Sequence, residues 1–103
     1  MIKNTIVSND YTEIITAPGD LKYANLGIYF CNTSDQSDVL DVFVVGAGGS
    51  AGAASQVVAQ LLIPKKETFM FGSEKFLLDS GESIVASSQV GGRITATVTY
   101  TDI

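Results

Sequence analysis

Period-two alternation in "RITATVTYTDI", residues 93–103, restricts this chain more than any other feature. Ile94, Ala96, Val98 and Tyr100 fall on one side of an extended backbone, and Thr95, Thr97 and Thr99 on the other. Side chains repeat every two residues along a strand and every 3.6 along a helix, so this spacing separates apolar from polar only in a strand. The β-branched residues favour the same state. Such a strand has one buried face and needs a second layer to cover it.

The segments upstream repeat the theme. Gly91-Gly92 in "SSQVGGR" is a tight-turn signal. "ESIVASSQV" before it reads as the paired strand, with Ile84 and Ala86 inward. A turn around Asp79 to Gly81 and a short strand in "EKFLL" come earlier, which makes the C-terminal part an antiparallel meander. In "YANLGIYFCN", Leu26, Ile28 and Phe30 alternate with Gly27, Tyr29 and Cys31, and both faces are apolar enough for a central strand. "NTSDQSD" is a polar turn, and "VLDVFVV" sets Leu40, Val42 and Val44 on one face. "TEIITAPGD" is a short strand ended by Pro18-Gly19. Turn signals recur about every ten residues, the rhythm of a sandwich or barrel. The expected fold is all-β: a single antiparallel β-sandwich, jelly-roll-like, of about eight short strands. One domain spans residues 1–103, with 1–11 as an N-terminal arm and 46–55 as a glycine-rich loop. Leu26, Ile28, Phe30, Val42, Val44, Ile84, Ile94 and Val98 are the expected core.

One stretch argues locally for something else. In "DVFVVGAGGSAGAASQVVAQLLIP", Gly46 and Gly48 form G-x-G after an apolar strand, and Ala51 stands where a third small residue belongs. Ala54, Val57, Val58, Leu61 and Leu62 then follow helical spacing, and Glu74 lies where a ribose-binding acid is found in dinucleotide folds. A doubly wound sheet, however, needs helices on both faces, and this chain offers one candidate helix at most. Flanked by strands, the small residues serve better as a loop. "QVVAQLLIP" is then a strand with Val57, Ala59, Leu61 and Ile63 alternating, stopped by Pro64. No cofactor is expected.

Composition narrows the chemistry. The chain has 103 residues, 46% of them hydrophobic and 17% charged, with a net charge of −5. Nucleic-acid binding through phosphates needs a basic footprint, and only Lys65-Lys66 clusters, so no nucleic-acid partner is expected. No apolar run reaches the roughly 20 residues of a membrane span, and no signal peptide is visible in "MIKNTIVSND". Synthesis in a cytoplasm is therefore expected. There is no histidine, which removes the commonest general base and metal ligand. Cys31, the only cysteine, has no histidine to activate it and reads as a small sheet residue. Asp35, Asp38 and Asp41 are spaced by three but do not match a calcium loop. A sugar-stacking platform would have to rest on Tyr11, Tyr23, Tyr29 or Tyr100, because tryptophan is absent. "NTS" at Asn32 fits a glycosylation sequon, without a secretion signal to give it meaning.

"TEIITAPGDLKYANLGIYFCNTSDQSDVLDVFVV" resembles the opening of small β-sandwich structural proteins of tailed-bacteriophage particles, where a strand ending in "TAP" leads to a strand closing on Asn, a polar turn and a V-x-V strand. "LLIPKKETFMFGSEKFLLDSGESIVASSQVGGRITATVTYTDI" is similar to their later pattern: I-P-x-x-E/D-T, a K-x-x-L strand, L-x-x-G-E/D-x-I, and a last strand ending near Y-x-D/E. The likeness runs from about Thr12 to Asp102 and carries no catalytic residues. It implies a non-enzymatic virion component, made in the host cytoplasm, that packs against other virion proteins and against its own copies. A capsid decoration or cement protein is the foremost expectation. A neck or tail accessory protein and a carbohydrate-binding host-attachment module are the alternatives. The expected assembly contact is the loop containing Gly46, Gly48, Gly49, Ser50 and Gly52, longer and richer in glycine than the pattern requires.

Overall fold

A computed structural model of the chain describes residues 1–71 and 77–102, with the backbone alone for residues 25, 26 and 102. Nine strands are present among the described residues: β1 (Ile2–Val7), β2 (Thr12–Thr16), β3 (Tyr23–Asn32), β4 (Asp38–Val45), β5 (Gln56–Ile63), β6 (Thr68–Phe71), β7 (Leu77–Leu78), β8 (Ser83–Ser88) and β9 (Ile94–Asp102). One three-residue helical turn, Ala53–Ser55, interrupts them. No helix among the described residues is long and apolar enough to cross a membrane.

The strands form two sheets, with orders β1-β9-β3-β6 and β2-β8-β4-β5; β7 pairs with β3. All pairings are antiparallel. The partners nest: β4 with β5, β3 with β6, β2 with β8, and β1 with β9. A single long hairpin ribbon, wrapped so that β9 lies against β3 and β8 against β4, produces this order. That is the jelly roll. Eight strands make up the roll, and the two-residue β7 is the addition. Residues 2–7, expected in a free arm, instead pair with β9 along their whole length, from Ile2 opposite Thr99 to Val7 opposite Ile94. Their alternation of Thr5 and Val7 against Ile6 suits a strand, and β9 offers an open edge to receive it.

The core lies between the inner faces. Ile28, Phe30, Val42, Ile84, Ile94 and Val98 are buried there, as the alternation predicts. Val44 is only half-buried against them, close to the end of β4. Leu26 lies outside the residues whose side chains are described. Full burial of an Ile, Leu or Phe side chain is worth about 1.5–3 kcal/mol, so this layer supplies most of the drive to fold.

Bulges explain where strict alternation fails. Leu40 pairs with Leu61 and Val42 with Val58, so Ala59 and Gln60 together face Asp41. A second irregularity adds Val57 between the Val42 and Phe43 pairings. The inward residues of β5 are therefore Val58, Leu61 and Ile63, while Val57 and Ala59, expected inward, are exposed. A bulge inserts one residue and turns spacing of two into spacing of three. The helical spacing in "QVVAQLL" has this origin.

Candidate functional site

The glycine stretch joins two antiparallel strands, β4 and β5. A strand and not a helix follows it, so no long helix N-terminus faces the loop; Glu74 lies outside the described residues. Its backbone is internally bonded. Gly49 N–H donates to Gly46 O at 2.9 Å, and Ser55 N–H to Gly52 O at 3.0 Å. Ser55 Oγ donates to Ser50 O at 3.3 Å. Gly48 has φ +76°, and a Cβ on Gly49 would sit 3.1 Å from Gly46 O. Those two glycines are required by the turn itself. Gly46 and Gly52 are different: nothing stands within 4 Å of where a Cβ would go, and neither sits in the left-handed region that favours glycine. The fold of a single chain gives no reason for glycine at either position.

Other residues marked from the sequence take separate roles. Asp35 is exposed, 3.6 Å from Lys66 Nζ. Asp38 is buried, and its Oδ1 accepts from the N–H groups of Val39 and Val90 at 2.8 and 3.2 Å. Asp41 Oδ1 accepts from Gln60 N–H at 2.7 Å and Gln56 Nε2 at 2.9 Å, fastening the β5 bulge. The three aspartates thus have separate partners, a lysine side chain for Asp35 and different backbone N–H groups for Asp38 and Asp41, and among the described residues no three acidic or cysteine side chains gather as a metal site. Tyr23 and Tyr100 pack together at 4.5 Å between ring centroids. Cys31 is half-buried, between Thr68 and Thr95 in register.

The two outer sheet faces carry the chemistry left open to a partner. On the first sheet, register lines up Ile2, Thr99 and Gly27; then Asn4, Thr97, Tyr29 and Met70; then Ile6, Thr95, Cys31 and Thr68. None of these residues is charged. Ile2 is 69% exposed, Ile6 64%, Met70 62% and Tyr29 41%. Threonines run down the middle, with Thr97 Oγ1 donating to Asn4 Oδ1 at 2.7 Å. Within the described chain no element covers this face, although "YANLGIYFCN" has the two-sided apolar pattern of a strand packed on both sides. Alternation in Ile2, Asn4 and Ile6 was the sequence signal for its other half.

The outer face of the second sheet is concave. Two adjoining depressions of about 400 and 380 Å³ share Asp41, Gln60 and Ser87. Asn9, Val39 and Gln89 extend the first; Tyr11, Phe43 and Gln56 extend the second. Phe43 is buried beneath Tyr11, edge to face at 5.2 Å. The bulge at Gln60 creates this relief, and a bulge has no signature in a single sequence.

Comparison of the chain with protein-family models, with curated proteins and with solved structures gave no match.

Proposed function

We propose that this chain is a non-enzymatic packing subunit of a tailed-phage virion, in the role of a capsid decoration protein, seated on its neighbours by the outer face of the first sheet. The observation that carries the reading is that face: an uncharged sheet surface with four large apolar side chains open to water in a chain of net charge −5. Large apolar side chains gathered on one uncharged face are the kind of surface that marks interaction sites in soluble proteins. The lack of charge on the described residues of this face suits close approach, because docking them would strip no ion of its water. The sequence likeness to virion sandwiches supplies the particle context. Contact with further copies of the chain belongs to the same reading, and open space at Gly46 and Gly52 is compatible with a neighbour approaching the loop.

The test is incorporation. Purified particles of the phage carrying the coding sequence should contain the chain by mass spectrometry, and an electron-microscopy map should place the first sheet against a neighbour. Ile6→Lys with Met70→Lys should keep a sheet-type circular dichroism spectrum yet lose co-sedimentation with particles. Absence from purified particles, or normal incorporation of the double variant, would overturn the reading.

A further inference from the structure

We propose that the trough on the outer face of the second sheet binds a neutral oligosaccharide. This inference goes beyond the packing role and uses the opposite sheet, so each can fail without the other.

Size and shape admit such a ligand. The two depressions of about 400 and 380 Å³ are contiguous through Asp41, Gln60 and Ser87, and each falls in the range of small-molecule sites. An elongated chain of sugar rings fits two joined, open depressions better than a compact ligand would.

The lining selects the chemistry. Among the described residues no lysine or arginine lines either depression, and Asp41 is the only ionic group there. An anionic ligand would meet that carboxylate in a chain already at −5. Asn9, Gln60 and Gln89 instead present amides, each both donor and acceptor, and Ser87 adds a hydroxyl. Groups that both give and accept match the hydroxyls of a sugar, which do the same. Tyr11 is 57% exposed and is braced by Phe43. An aromatic ring held in that way offers an apolar surface beside a polar tip, suited to the C–H face of a pyranose.

The trough is also preorganised. The bonds that hold Asp41 use Oδ1 alone, so the carboxylate is fixed before any ligand arrives. Gln60 is held at φ +52°, a left-handed conformation that is unfavourable for a residue with a side chain. Backbone strain of this kind concentrates at ligand sites, and bulges re-aim side chains beside them.

The experiment is titration of the ¹⁵N-labelled chain with maltohexaose, cellohexaose and chitohexaose, followed by amide chemical shifts. A chitosan hexamer serves as the cationic control and a hyaluronan hexamer as the anionic one. At least one neutral hexaose should produce saturable shifts at Ser87, Gln89 and Gln60. Gln89→Ala, an exposed position, and Tyr11→Ala should each weaken that binding about ten-fold or more while the spectrum keeps its sheet dispersion. If Tyr11→Ala loses its fold, Gln89→Ala decides. The proposal fails if no neutral hexaose shifts the trough amides, if the charged hexamers alone do so, or if Gln89→Ala binds like the original chain.

Discussion

Exchanging a single atom at Asn32 should damage this fold more than deleting the whole side chain. Asn32 ends β3 and is fully buried. Its Nδ2 donates to Gln36 O at 2.8 Å and to Ile63 O at 3.0 Å. Its Oδ1 accepts from Ser34 N–H at 3.0 Å and from Ser34 Oγ at 2.8 Å. Three of these bonds brace the β3–β4 turn, and the fourth ties it to the end of β5. A neutral hydrogen bond contributes about 1 kcal/mol net, so Asn32→Ala should cost about 3–4 kcal/mol. Asn32→Asp keeps the shape and both accepted bonds. It also sets a carboxylate oxygen against two carbonyl oxygens with no water to screen them. Loss of two donated bonds removes about 2 kcal/mol, and an uncompensated buried charge adds several more. The sum, about 5 kcal/mol or above, rivals the whole stability of a small domain, about 5–15 kcal/mol. Urea denaturation followed by circular dichroism at pH 7 should rank the original chain above Asn32→Ala and Asn32→Asp last. Acidification should return part of the loss in Asn32→Asp alone, because a protonated carboxyl donates one of the missing bonds. Equal stability of Asn32→Asp and the original chain, or a smaller loss than for Asn32→Ala, would refute the bonding scheme. The same geometry disposes of the sequon at Asn32: in the folded chain its amide nitrogen is buried and already donates twice.

Two further predictions concern the sandwich. Ile28→Ala removes a fully buried side chain at the centre of β3; a loss of about 3 kcal/mol corresponds to a fall in Tm of about 14 °C for a chain of this size, and an unchanged Tm in calorimetry would mean the wrong face is buried. Gly91 and Gly92 share positive φ values of +89° and +78°, but only at Gly91 would a Cβ lie 2.9 Å from Asn9 N. Gly92→Ala should therefore cost about 1 kcal/mol and Gly91→Ala about 2–3 kcal/mol, and equal shifts in Tm would show that the β1–β2 turn yields freely.

Residues 93–103 and the recurring turns were enough to set the fold class, because alternation separates apolar from polar on a strand whatever lies around it. Alternation also placed six of the eight expected core residues: Ile28, Phe30, Val42, Ile84, Ile94 and Val98 each follow from their own strand's period. Which strand adjoins which was not legible. β9 pairs with β1 across nearly the full chain length, and such a contact leaves no local trace in either segment. Residues 2–7 look like an arm until β9 is there to receive them. The β5 spacing misled for a related reason. A bulge is defined by two strands in register, Ala59 and Gln60 against Asp41, so the segment is the strand that was expected but with Val57 and Ala59 facing out. Both open surfaces belong to this second class. The uncharged face needs four strands side by side, and the trough needs the bulge, Tyr11 over Phe43, and the β8–β9 turn brought beside Asn9. Local sequence determines which way each side chain faces; only the wrapped ribbon decides which faces are joined and which are left open.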